Sequence, residues 1–182
     1  SQDLFFYLTY PPEKMKILPR EYSLEQSSAP DIAELDRYYQ TRSGGLLLDA
    51  MGITKRCMID DALQDLYFSH GLKRSCCIYS LKRGERLAAV FIREESDSGL
   101  NLSEMLNGIK IFILDTAIEW EILSAAISML GNQNRETALF IYPELYAPSV
   151  PIKNKPYRFW ILSIEDGYDY KEYMAKYFRI RF

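Results

Sequence analysis

Histidine is almost missing from this 182-residue chain: His70 stands alone, so metal centres and catalytic triads built on several imidazoles are excluded. A Ser-His-Asp or Cys-His system would have to use that one ring. His70 precedes Gly71 at the expected end of a helix, where contact with the negative pole of the helix is the ordinary role. Cysteine is scarce too, with Cys57, Cys76 and Cys77 making an odd count without metal-ligand spacing. In a strand Cys76 and Cys77 point to opposite faces and cannot jointly grip an ion or readily pair, so reduced thiols in a cytoplasmic setting are expected. The 9 Gly and 8 Pro are too few for a collagen-like or low-complexity chain. Uninterrupted apolar runs are short, such as Ile111 to Leu114, and no basic stretch precedes Leu4-Phe5-Phe6-Tyr7-Leu8. Neither a membrane-spanning helix nor a secretory signal is expected. Nor is there a basic excess: the formal charge is -3, which gives no global pull toward nucleic acid or anionic lipid. Neither nucleic acid nor a membrane is therefore expected as a partner.

What the chain does have is a core-forming composition, 48% hydrophobic and 26% charged, at a length suited to one domain. Charge is unevenly spread. Glu95, Asp97, Glu104, Asp115, Glu119 and Glu121 stand against Lys110 alone across residues 95–121, while residues 151–182 are net basic. Residues 1–19, with Tyr10-Pro11-Pro12 and Leu18-Pro19, read as an N-terminal arm, either extended or a short strand and linker. A strand is expected from Arg20 to Gln26. A helix should follow from Ser27-Ser28-Ala29-Pro30-Asp31, with Pro in its first turn and Asp31 and Glu34 near its positive end. Gly44-Gly45 breaks it, and Leu46-Leu47-Leu48 with Met51 suggests a second short helix. Ile59, Ala62, Leu63, Leu66 and Tyr67 mark a third helix over about 58–69, ended by Gly71. Arg74 to Leu81 and Arg86 to Glu94 form an expected hairpin around Lys82-Arg83-Gly84-Glu85.

Ile109 to Leu114 is a dense strand candidate. Thr116-Ala117-Ile118-Glu119 has capping-box spacing, so a helix over 116–130 is expected, apolar nearly all round and closed by Gly131. Strands are expected at Thr137 to Tyr142 and Tyr157 to Ile164, joined by a connector carrying Pro143, Pro148, Pro151 and Pro156. A last helix is expected over about 168–177, followed by Phe178-Arg179-Ile180-Arg181-Phe182, whose alternation suits a closing strand.

That order, over residues 20–182, resembles the GNAT superfamily of acyl-CoA N-acyltransferases. The likeness is carried by the helical pair around Gly44-Gly45-Leu46-Leu47-Leu48, by the hairpin from Cys76 to Ile92 with Ala88-Ala89-Val90, and by the strand-to-helix unit from Ile109 to Leu130. It implies an α+β domain, a twisted mixed β-sheet flanked by helices, over residues 20–182. It also implies that coenzyme A would meet the chain at Ile113, Leu114, Thr116 and Ala117. By position Asp115 would stand for the general base and Tyr146 for the acid.

The family's pyrophosphate loop, Gln/Arg-x-x-Gly-x-Gly/Ala, needs glycines for close approach and an open positive helix end. Here the matching segment, Leu114-Asp115-Thr116-Ala117-Ile118-Glu119, has no glycine and no base, and it carries two carboxylates where an anion should lie. The expectation is therefore a divergent GNAT-like module that binds a small molecule or a protein partner, serves a regulatory role without ordinary acetyl transfer, and needs no cofactor or metal. The runner-up is an active acyltransferase using acetyl-CoA or another acyl-CoA through an atypical loop. A third reading is a dimerising structural domain with an aromatic surface of Tyr142, Tyr146, Tyr157 and Trp160. A ligand site is expected between the loop 95–108 and the connector 143–156, on the view that both flank neighbouring strand ends.

Overall fold

Seven strands and three helices are described in the computed structural model, which covers residues 3–43, 48, 62–97, 107–134, 136–143, 146 and 149–159. The strands are β1 (Asp3–Tyr10), β2 (Tyr22–Gln26), β3 (Arg74–Arg83), β4 (Arg86–Ser96), β5 (Gly108–Ile113), β6 (Thr137–Tyr142) and β7 (Lys155–Phe159). The helices are α1 (Ala29–Ser43), α2 (Ala62–Ser69) and α3 (Trp120–Leu130). They build one mixed sheet in the order β2-β3-β4-β5-β6-β1-β7. Every neighbouring pair is antiparallel except β5 and β6, which run parallel because α3 carries the chain back between them.

Alternation along the strands divides the core in two. Ala89, Phe91, Ile111, Ile113, Leu139 and Ile141 face α3 and pack with Leu123, Ala126 and Ile127. Val90, Ile92, Phe112 and Tyr142 face the other way and meet Leu35 and Tyr39 of α1. Nine of the eleven residues of α3 are buried, as its all-round apolar sequence led one to expect.

Local signals act where the sequence places them. Ser28 donates both its N–H and its hydroxyl to Asp31 Oδ2 at 2.9 and 2.8 Å, closing the start of α1. Lys82 Nζ then ties Asp31 to Glu25 of β2, at 3.0 and 2.9 Å. Gly71 follows α2 at φ 70° and Gly84 turns the β3–β4 hairpin at φ 58°, both in the left-handed region that favours glycine.

Three expectations are corrected. Residues 3–10 take the strand alternative, but they do not stand apart from the domain over 20–182: β1 is the sixth strand of the sheet, hydrogen-bonded to β6 on one side and β7 on the other. Its alternating Phe6, Leu8 and Tyr10 fill the core under α3. The helix over 116–130 begins instead at Trp120 with Glu119 as N-cap and no side-chain cap bond, so the Thr116–Glu119 capping box does not form. Third, the loop 95–108 and the connector after Tyr142 lie at opposite ends of the β5–β6 pair, because those strands are parallel. The short helix around Leu46-Leu47-Leu48 and Met51, the strand beyond Phe159, the last helix and the closing strand fall outside the described residues, apart from Leu48, which is buried and helical.

Candidate functional site

Two places are candidates for a site, one at each end of the parallel pair. The first is the turn from β5 into α3, where the resemblance would seat an acyl-CoA pyrophosphate. Four of its backbone N–H groups are engaged within the protein. Leu114 and Asp115 both donate N–H to Ala88 O, at 2.9 and 3.0 Å, which curls the end of β5 back onto β4. Ala117 N–H donates to Asp115 Oδ1 at 3.1 Å and Ile118 N–H to Asp115 O at 3.1 Å. Asp115 is thus a turn-forming carboxylate, a role short polar side chains commonly take. Glu119 and Glu121 follow at the positive end of α3, which they complement electrostatically.

Beside this turn, the crevice at the ends of the two parallel strands is filled. Tyr39 reaches across from α1 and shares its hydroxyl between Ile113 O at 2.7 Å and Tyr142 O at 3.2 Å. Its ring packs on Tyr142 with centroids 4.9 Å apart and edge-on to Phe112 at 5.9 Å. One tyrosine therefore ties together the carbonyl ends of β5 and β6.

Tyr146 lies close by in sequence but is directed inward. It is 1% exposed and donates its hydroxyl to Ile118 O at 2.7 Å. Burial pushes the hydroxyl far above the usual phenol range, and the nearby charges of Glu121 and Glu119 push it further the same way. Thr116, Ile113 and Leu114 complete the turn, with Ile113 wholly buried. Tyr142, 5% exposed, and Tyr146 belong to the core, so they form no aromatic docking surface; the Tyr157 and Trp160 side chains lie outside the described ones.

The second place is a cleft of about 410 Å³ at the other end of the pair, lined by Tyr7 and Thr9 of β1, Arg93 to Glu95 of β4, Asn107 to Ile109, Leu130 to Asn132, and Glu136 to Ala138. It opens where β5 starts late, at Gly108. A Cβ on Gly108 would stand 2.4 Å from Ala138 O, so glycine is required for β5 and β6 to approach here.

Glu94, one of the lining residues, belongs to a buried charge cluster. Glu94, 2% exposed, receives Arg74 Nη2 at 3.2 Å on one oxygen and Lys110 Nζ on the other. The Arg74 guanidinium also lies 5.8 Å from the centre of the Tyr67 ring of α2. On the opposite face Arg93 pairs with Glu95 at 2.9 Å. Each of these three cations thus has a carboxylate in contact.

Sequence reasoning missed this cluster, because Arg74, Glu94 and Lys110 lie on three strands. Only the register, with Cys76 opposite Glu94 and Ile92 opposite Lys110, brings them onto one face. Cys76 and Cys77 are half-buried and not disulfide-bonded, and His70 is exposed, its Nδ1 3.1 Å from Ser69 Oγ. Among the described residues no group of His, Cys, Asp and Glu could hold a metal ion, and no helix is long and apolar enough to cross a membrane. In comparisons with family models, curated proteins and solved structures, none matches the chain.

Proposed function

We propose that this chain is a divergent GNAT-like module that binds a small molecule or a protein partner and does not carry out ordinary acetyl transfer. The architectural support is the observed run of β2, α1, α2, the β3–β4 hairpin, β5, α3 and β6, the same order that carries the resemblance. The observation that carries the functional half is the committed set of amides. Leu114, Asp115, Ala117 and Ile118 all spend their N–H groups inside the protein. A pyrophosphate seated there would have to break those bonds and lie beside Asp115, Glu119 and Glu121, an arrangement that opposes anion binding.

On this reading a small ligand occupies the cleft at the Gly108 end, whose volume of about 410 Å³ suits a small molecule. A cytoplasmic setting agrees with Cys76 and Cys77 not being disulfide-bonded. The test is turnover: the chain incubated with acetyl-CoA and a panel of primary amines, with release of free coenzyme A thiol followed over time. No release above the uncatalysed rate is expected. Sustained release that falls in Asp115→Asn and Tyr146→Phe would instead establish the acyltransferase with an atypical loop.

A further inference from the structure

The sheet order imposes an unusual path on residues 11–21. β1 is sixth in the sheet and β2 first, so this segment must cross five strand spacings, roughly 24 Å, out of an extended reach of about 36 Å. It takes the α3 side, passing over the outer surface of that helix. Lys16 donates its backbone N–H to Ser128 Oγ at 2.8 Å and its Nζ to Ser124 Oγ at 3.3 Å. Ser124 and Ser128 sit one turn apart on α3 and are 3% and 5% exposed. The far end is tied down by Tyr22 N–H to Pro19 O and Gly84 N–H to Glu21 O, at 2.9 and 3.0 Å.

Between these anchors almost nothing apolar holds the segment. Met15 is 62% exposed and Ile17 93%, and Leu18 alone packs partly on the core. The grip is polar and local: Glu13 takes Tyr10 hydroxyl at 2.5 Å and Lys16 Nζ at 2.6 Å, and Lys16 in turn engages the two serines. Segments with little buried apolar surface and exposed hydrogen bonds open independently of the structure beneath them.

We infer that residues 11–18 form a latch over α3, which opens as a unit while β1, β2 and the sheet stay folded. The clasp is the contact of Lys16 with Ser124 and Ser128. Opening uncovers the serine side of α3 and exposes Lys14 and Lys16 to solvent along their whole backbone. The device is independent of what the chain binds.

Trypsin under native conditions reads it directly, because cleavage from a rapidly closing open state follows that state's population. Cutting after Lys14 and Lys16 should precede all other cutting, with a rate nearly independent of low urea. Ser128→Ala should raise that rate by about tenfold, the effect of one lost hydrogen bond on a local equilibrium, while the thermal midpoint stays within about 3 °C of the parent. Hydrogen exchange should rise in parallel at Lys16 and stay unchanged in β1. Cleavage carrying the urea dependence of global unfolding, or equal rates in Ser128→Ala and the parent, would overturn the latch.

Discussion

Replacing Tyr39 by Phe removes a single oxygen, and the structure sets what that should cost. The ring is 2% exposed and keeps its aromatic neighbours Phe112 and Tyr142, so no cavity of consequence opens. What disappears is one donor shared between Ile113 O and Tyr142 O at 2.7 and 3.2 Å. A typical hydrogen bond contributes about 0.5–1.5 kcal/mol net, and a carbonyl left buried without its donor raises the loss to about 1–3 kcal/mol. About 2 kcal/mol is the expected value, a sizeable part of a total near 5–15 kcal/mol. For a domain of this length that lowers the thermal midpoint by roughly 4–8 °C. Tyr146→Phe serves as the internal reference, since its hydroxyl serves one carbonyl, Ile118 O at 2.7 Å, and should cost no more than Tyr39→Phe. Calorimetric melting with urea titration measures both. A Tyr39→Phe variant within about 0.5 kcal/mol of the parent would refute the view that this hydroxyl joins the ends of β5 and β6.

Gly108→Ala should destabilise by about 1–3 kcal/mol or more, because the added methyl would stand 2.4 Å from Ala138 O and must drive β5 from β6; an unchanged urea midpoint would mean a different strand contact. Ile122→Asp should leave no cooperative melt, as a carboxylate would replace a side chain 9% exposed in the core at a cost of several kcal/mol. For Asp31, burial raises the carboxyl, but Ser28 N–H and the Lys82 ammonium outweigh it and hold the folded value below the ordinary 3.8. Its stabilising contribution is therefore present above that value and is lost as pH falls through the lower, folded one. Asp31→Asn should be less stable than the parent at pH 7 and converge with it in stronger acid, as followed by urea unfolding across pH.

The local order of elements was legible because each carries its own signal. Ser28 and Asp31 open α1, Gly84 turns the hairpin, and the apolar run of α3 ends at Gly131, whose N–H returns to Ile127 O at 2.7 Å. What was not legible is what depends on pairing between distant segments. The alternation Phe6, Leu8, Tyr10 is a strand pattern, yet the prolines after it read as a linker, and nothing local says that β1 inserts between β6 and β7. The Thr116–Glu119 spacing suggested a cap. Asp115 wins that competition, since its carboxylate takes Ala117 N–H and delays the helix to Trp120. Tyr39 as the residue that fills the crevice was invisible, because its two acceptors are backbone carbonyls 74 and 103 residues away.

The central claim is that the turn between β5 and α3 has no free place for an acyl-CoA pyrophosphate. Titration of the intact chain with acetyl-CoA, read by calorimetry and by amide chemical shifts, tests it most directly. No saturable heat is expected at micromolar concentration, and the amides of Leu114, Asp115, Ala117 and Ile118 should not move. Micromolar binding with shifts concentrated on those four amides, and weakened when Ala117 is made bulky, would contradict it.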